Sequence, residues 1–168
     1  MLGTVPGTVA GVGIDAVDVD RFRAVLQRRP GMADRLFTDA ERRDASRRGD
    51  PTQSLAARFA AKEAVLKALG RGVGSVAFRE VEVVRATGVG SRAGAPSIRL
   101  GPEATRLANE RDIGQWHVSM SHTATVAIAV VVAERAGHPH SEVTAPTEGR
   151  SAAVSGGDPA SPRPNTAP

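Results

Sequence analysis

No cysteine occurs in the 168 residues, which excludes disulfides and thiolate metal sites. Tyrosine is also missing, and the other aromatics are four Phe and one Trp. The core must therefore be assembled from Val, Leu, Ile and Ala, and platforms for stacking nucleic-acid bases are scarce. No apolar run reaches the roughly 20 residues of a membrane helix, so no spanning segment is expected. The N-terminus lacks a basic stretch followed by an apolar core, so no secretion signal is expected and the cytoplasm is the default location. Lysine is scarce too: the 22 basic residues include only Lys62 and Lys67, and both lie in one segment.

The net charge of +4 favours anionic partners: phosphate esters, an acidic protein, or nucleic acid. The chain divides by composition. Residues 137–168 hold six of the eleven Pro and few large apolar side chains, which predicts a disordered tail. Residues 1–7 read as a flexible leader. Residues 8–136 carry enough apolar side chains for one domain.

Within that domain, residues 8–19 predict a strand, with Asp20 capping the helix that follows. A short helix is expected to begin near Thr38 and Asp39. Asp50 and Pro51 begin a longer helix that runs to Leu69, with Gly70 as its stop. Residues 76–86 predict a strand, 88–96 a turn-rich connection, 97–100 a short strand and 102–111 a helix. Strands over 116–120 and 125–133 flank a break at Ser121-His122-Thr123. Helices and strands interspersed in this way place the fold in the α+β class. No internal repeat is present.

Three places break the local pattern. On the long helix, Leu55, Phe59, Leu66 and Leu69 form one stripe at 3.6-residue spacing. Lys62 falls into that stripe and Glu63 lies at its edge. Two readings fit: a functional charged pair, or an ammonium that reaches solvent along an apolar surface with Glu63 on the rim. Asp15 ends the run Gly11-Val12-Gly13-Ile14-Asp15, where two glycines let a ligand or another chain segment approach closely. A third glycine is missing from that run, so it is not a dinucleotide fingerprint. His122 lies in a polar cluster where turn chemistry is the ordinary explanation.

Taken together, these residues match one chemistry. Asp15 and Glu63 suit magnesium, which is held by one or two carboxylates with substrate phosphates and waters completing its shell. Arg58, Lys62, Lys67 and His122 suit phosphates. The loop around Gly70 and Gly72 lets backbone N–H groups approach another.

Three blocks resemble the holo-acyl-carrier-protein synthases, the small branch of the 4'-phosphopantetheinyl transferases. They are Gly11-Val12-Gly13-Ile14-Asp15 continuing to Asp20-Arg21-Phe22; Arg58-Phe59-Ala60-Ala61-Lys62-Glu63-Ala64-Val65-Leu66-Lys67-Ala68-Leu69-Gly70 with Gly72; and Trp116-His117-Val118-Ser119-Met120-Ser121-His122-Thr123. The resemblance covers about residues 9–134. It implies transfer of phosphopantetheine from coenzyme A to a serine of apo-acyl carrier protein, releasing adenosine 3',5'-bisphosphate. It implies an antiparallel sheet on a long helix, and a homotrimer with active sites between subunits. The implied magnesium ligands are Asp15 and Glu63. Arg58, Lys62, Lys67, Gly70, Gly72, His122 and Thr123 are implied around coenzyme A, and Arg21 and Arg28 on the face that docks the carrier. Glu63, Lys62 and His122 are the implied catalytic groups; Glu63, a metal-bound water or neutral Lys62 could each take the serine proton. The rival readings are a basic nucleic-acid-binding module, which leaves the Lys62-Glu63 pair unexplained, and an inactive homologue, which leaves the full set of residues unexplained.

Overall fold

Helix α4 (Pro51–Ala68) organises the rest of the chain. Its start follows from the side chain of Asp50, which accepts hydrogen bonds from the N–H groups of Thr52 and Gln53, with Pro51 in the first turn. It stops at Gly70, whose φ of 62° lets Gly70 N–H reach Lys67 O and Arg71 N–H reach Leu66 O. The computed structural model of the chain describes residues 8–72, 74–85 and 94–136. The predicted leader and tail, and most of the turn-rich stretch before Pro96, lie outside the described residues.

One face of α4 lies on an antiparallel sheet of three strands, in the order β1 (Val9–Asp18), β5 (Val126–Arg135), β4 (Ile113–His122). Strand alternation sorts β5 cleanly. Ala127, Ala129, Val131 and Ala133 are buried toward the helix, while Val126, Ile128 and Val130 face outward. Strand β1 meets the helix through its glycines. A Cβ on Gly13 would lie 1.8 Å from Ala64 O, and one on Gly11 would lie 2.2 Å from Ala68 O. The close approach that the glycines permit is thus taken by α4.

The other side of α4 is covered as well. Helix α1 (Val19–Arg28) follows β1 directly, then α2 (Met32–Leu36) and α3 (Asp39–Ser46). A single 3₁₀ turn, Phe78–Glu80, leads into β2 (Val81–Arg85), which pairs antiparallel with β3 (Pro96–Leu100). Helix α5 (Pro102–Asn109) leads to β4. All four phenylalanines gather between α1, α4 and the 3₁₀ turn: Phe22 and Phe59 lie 5.4 Å apart, Phe59 and Phe78 5.3 Å, and Phe37 meets Phe22 edge-on.

The α+β class and the sheet on a long helix agree with the sequence reading. Several details differ. The cap of α1 is Asp18, which accepts from Arg21 N–H, not Asp20. Val19 N–H is bonded to Thr125 O, so β1 is held to the β4–β5 turn up to that point and the helix begins there. Helix α2 was not expected. Residues 76–80 are not strand; β2 begins at Val81. Strand β4 runs through to His122, so that residue ends a strand and does not sit in a break. Finally, α4 is buried on nearly every side, not along one stripe.

Candidate active site

Helix α4 and strand β1 bring Asp15, Glu63 and Lys67 together. Glu63 and Lys67 are one turn apart on the helix, and Asp15 faces them because it shares the inner side of the sheet with Gly13. Lys67 Nζ donates to Asp15 Oδ1 and to Ile14 O, each at 2.8 Å. Burial raises the Glu63 carboxyl above its ordinary value; the Asp15 charge raises it further, and Lys67 opposes both. Two carboxylates that disfavour each other's ionisation are a fitting seat for a divalent cation, which would stabilise both charges. Among the described residues no three acidic or histidine side chains are placed to hold a metal ion together, so substrate oxygens and water would complete the shell.

From this cluster an apolar groove of about 680 Å³ extends under α1, lined by Val17, Phe22, Met32, Leu36, Phe59 and Phe78. Arg21 stands exposed on its rim. Arg28 lies two turns further along α1, exposed, and does not line the groove.

A second cavity, of about 480 Å³, opens on the other side of α4. Arg48, Arg58, Arg85, Pro96, Met120 and His122 line it. Arg58 is 4% exposed; its Nη1 donates to Ser54 O at 3.0 Å and its Nη2 meets Asp44. Arg85 Nε donates to the same Asp44 oxygen at 3.1 Å. Burial favours the neutral Asp44 carboxyl, but the hydrogen bond from Arg85 and the charges of both arginines outweigh it and hold the group below its ordinary value. His122 is exposed at the cavity edge.

The expected site residues thus form two groups. Arg58 and Lys67 are nine residues apart, which places them on opposite sides of α4 at about 100° per residue. Asp15 and His122 lie on the two outer strands of the sheet with β5 between them, about 10 Å apart across the strands. The two cavities share no lining residue. Gly70 forms the helix stop, Gly72 is exposed, and Thr123 Oγ1 accepts from the N–H groups of Thr125 and Val126, so its hydroxyl shapes the β4–β5 turn.

Lys62 belongs to neither group. Its side chain is 0% exposed, and Nζ donates to Glu41 Oε2 at 2.8 Å, Phe78 O at 2.9 Å and Val81 O at 2.6 Å. All three ammonium protons are used, and none points into a cavity. The tasks expected of Lys62 toward phosphate and the serine proton thus find no free ammonium proton here, and the alternative in which it reaches solvent is corrected. Asp44, Arg48 and Arg85 were not singled out from the sequence, although the net charge of +4 was a general signal of anionic partners.

The arrangement offers a carboxylate pair for a cation, guanidiniums and an imidazole for phosphates, and an apolar groove. Residues 11–131 match the 4'-phosphopantetheinyl transferase superfamily. The chain belongs to that superfamily. Its relatives there are holo-acyl-carrier-protein synthases. The one from Frankia alni is 52% identical over 126 residues, covering 75% of this chain and 98% of the relative. The crystal structure of the synthase from Neisseria meningitidis superposes with a TM-score of 0.67 at 32% identity, covering 76% of this chain and 99% of that one. The synthase from Bacillus anthracis in complex with CoA gives a TM-score of 0.61 at 30% identity, covering 77% and 100%. The superfamily match spans all three sequence blocks and both cavities but stops short of the tail.

Proposed function

We propose that the protein transfers the 4'-phosphopantetheine group of coenzyme A to a serine of apo-acyl carrier protein, with magnesium held by Asp15 and Glu63. One observation carries the reading: a repelling carboxylate pair flanked by Lys67 on one side of α4, with the arginine and histidine cavity on the other. The serine Oγ forms a bond to the β-phosphorus, the bond from that phosphorus to the bridging oxygen breaks, and adenosine 3',5'-bisphosphate leaves. Bound magnesium would neutralise charge on the pyrophosphate. Arg58, Arg85 and His122 hold the leaving bisphosphate by charge-assisted hydrogen bonds. Lys67 fixes Asp15 and adds positive charge beside the reacting phosphate. With Lys62 withdrawn into the interior, the serine proton passes to Glu63 or to water beside it. Arg21 and Arg28 point the acidic carrier toward the apolar groove.

The two half-sites stand on opposite sides of one helix, so a second copy must bring its arginine cavity against the Asp15 cluster. The outer sheet face supplies the contact. Val12 and Ile14 are each 60% exposed there, next to Val126, Ile128 and Val130 on β5. A contiguous apolar face of this kind on a sheet marks an interface. The reading is a homotrimer with sites between subunits. No described helix is long and apolar enough to cross a membrane, and the proposed location is the cytoplasm.

The test is direct. Purified protein, coenzyme A, magnesium and an apo-carrier are combined, and the carrier is weighed by mass spectrometry. The expected result is the phosphopantetheine mass gain, lost when a chelator removes magnesium. No gain with fatty-acid and polyketide carriers would overturn the reading.

A further inference from the structure

Among the described residues, the most deeply buried charges lie outside both half-sites. Lys62 and Glu41 are each 0% exposed at the side chain. Their hydrogen bonds are complete. Glu41 Oε1 accepts from Val83 N–H at 3.0 Å, and Oε2 accepts from Thr38 N–H at 2.9 Å and from Lys62. Lys62 in turn donates to Val81 O. Val81 C=O and Val83 N–H point to the same edge of β2, two residues apart. The opposite edge of β2 is paired with β3, and among the described residues no strand occupies this one. The ion pair therefore acts as a substitute strand: a cation takes the free carbonyl and a carboxylate takes the free amide. It joins α3, α4, the 3₁₀ turn and β2 at one point.

Asp44 lies three residues after Glu41, on the same side of α3. It carries the outer layer of the same junction, holding Arg58 from α4 and Arg85 from β2. An apolar pair of similar volume would seat α3 on α4 at least as stably, because burying charges costs about as much as their attraction returns. What an apolar pair would lose is register. Dispersion does not fix where β2 sits along its axis, whereas two directed hydrogen bonds do.

We propose that Lys62 and Glu41 are positioning residues that set β2 and α3 against α4, and so hold Arg58 and Arg85, through Asp44, at the angle needed to grip the coenzyme A phosphates. This deepens the proposed function and rests on it. Lys62 acts on neither the phosphate nor the serine proton directly.

The experiment compares wild type, the double variant Glu41→Gln with Lys62→Met, and Asp44→Asn. Folding is followed by circular dichroism, coenzyme A binding by calorimetry without carrier, and transfer by steady-state kinetics across pH. In the double variant and in Asp44→Asn, KM and the calorimetric Kd for coenzyme A are expected to rise about tenfold, equivalent to one weakened charge-assisted hydrogen bond. Turnover stays within about threefold, the KM for the carrier is unchanged, and the pH profile keeps its shape. A turnover loss of about 100-fold with unchanged coenzyme A binding, or a displaced limb of the pH profile, would return Lys62 to proton transfer and overturn the proposal. Unchanged coenzyme A binding in Asp44→Asn would break the link through that residue. If the double variant melts below the assay temperature, the comparison is made at a lower temperature at which circular dichroism shows it folded. Failure of the wild type to modify any carrier would refute the proposed function, while the calorimetric comparison still decides whether the buried pair governs coenzyme A binding.

Discussion

Replacing Gly13 by alanine places a methyl carbon 1.8 Å from the Ala64 carbonyl oxygen, 2.8 Å from its carbon and 3.0 Å from Ala68 N. All three neighbours are backbone of α4, so no side chain can rotate away. To restore even a tight contact, the strand and the helix must part by about 1.2 Å, because repulsion rises steeply below van der Waals separation. Overpacking of this kind costs about 3 kcal/mol, which corresponds to a melting temperature lower by roughly 10 °C for a domain of this size. The same separation moves Asp15, two residues beyond Gly13, away from Glu63 and Lys67, which flank Ala64 on the helix. A displacement of about 1 Å within a reacting constellation lowers the rate by about 100-fold. Gly31→Ala is the control, since a Cβ there meets nothing within 4 Å. Thermal melting and carrier modification are measured for both. Wild-type melting and turnover in Gly13→Ala would refute the claim that this contact sets the Asp15–Glu63 geometry.

Glu63→Gln should lower transfer by about 100-fold or more while leaving the fold at least as stable at neutral pH. The Glu63 carboxyl is raised in the folded chain by burial first and the Asp15 charge second. Its contribution to stability is therefore full below the ordinary glutamate value and is lost as pH rises through the raised one. Glutamine removes that loss, so the variant's melting temperature should match or exceed wild type at pH 7 and converge with it in acid. A variant clearly less stable at pH 7 would contradict this sign. The same proton competes with the cation: magnesium affinity by calorimetry should weaken on acidification from a pH above the usual glutamate range. Ile128→Asp on the outer sheet face should dissociate the assembly in sedimentation and reduce transfer with it, while the monomer keeps its circular dichroism; a wild-type monomer with full activity would defeat the inter-subunit site.

Elements with a local cause were legible in the chain. The start of α4 follows from Asp50 and Pro51, its end from Gly70, and the start of α3 from Thr38, whose hydroxyl accepts from Glu41 N–H while the Glu41 carboxylate returns to Thr38 N–H. Each signal acts within about four residues, so one sequence displays it. The cap of α1 was misread because Asp18 and Asp20 offer the same oxygen; the choice depends on how far β1 stays held, which a bond to Thr125 decides. Helix α2 went unseen because no side chain caps it and it is only 5 residues long.

The long helix with charges among its apolar residues, together with Asp15 and His122, pointed from the sequence to the candidate site. The sequence showed that Lys62 and Glu63 break the apolar pattern. It could not show that Lys62 is paired with Glu41, 21 residues away, or that Asp44 holds Arg58 and Arg85. Nor could it show that Asp15 and His122 end on opposite sides of α4. A carboxylate's partner is whichever cation the fold brings within hydrogen-bond reach, and with 22 basic residues in the chain only the tertiary structure makes that choice.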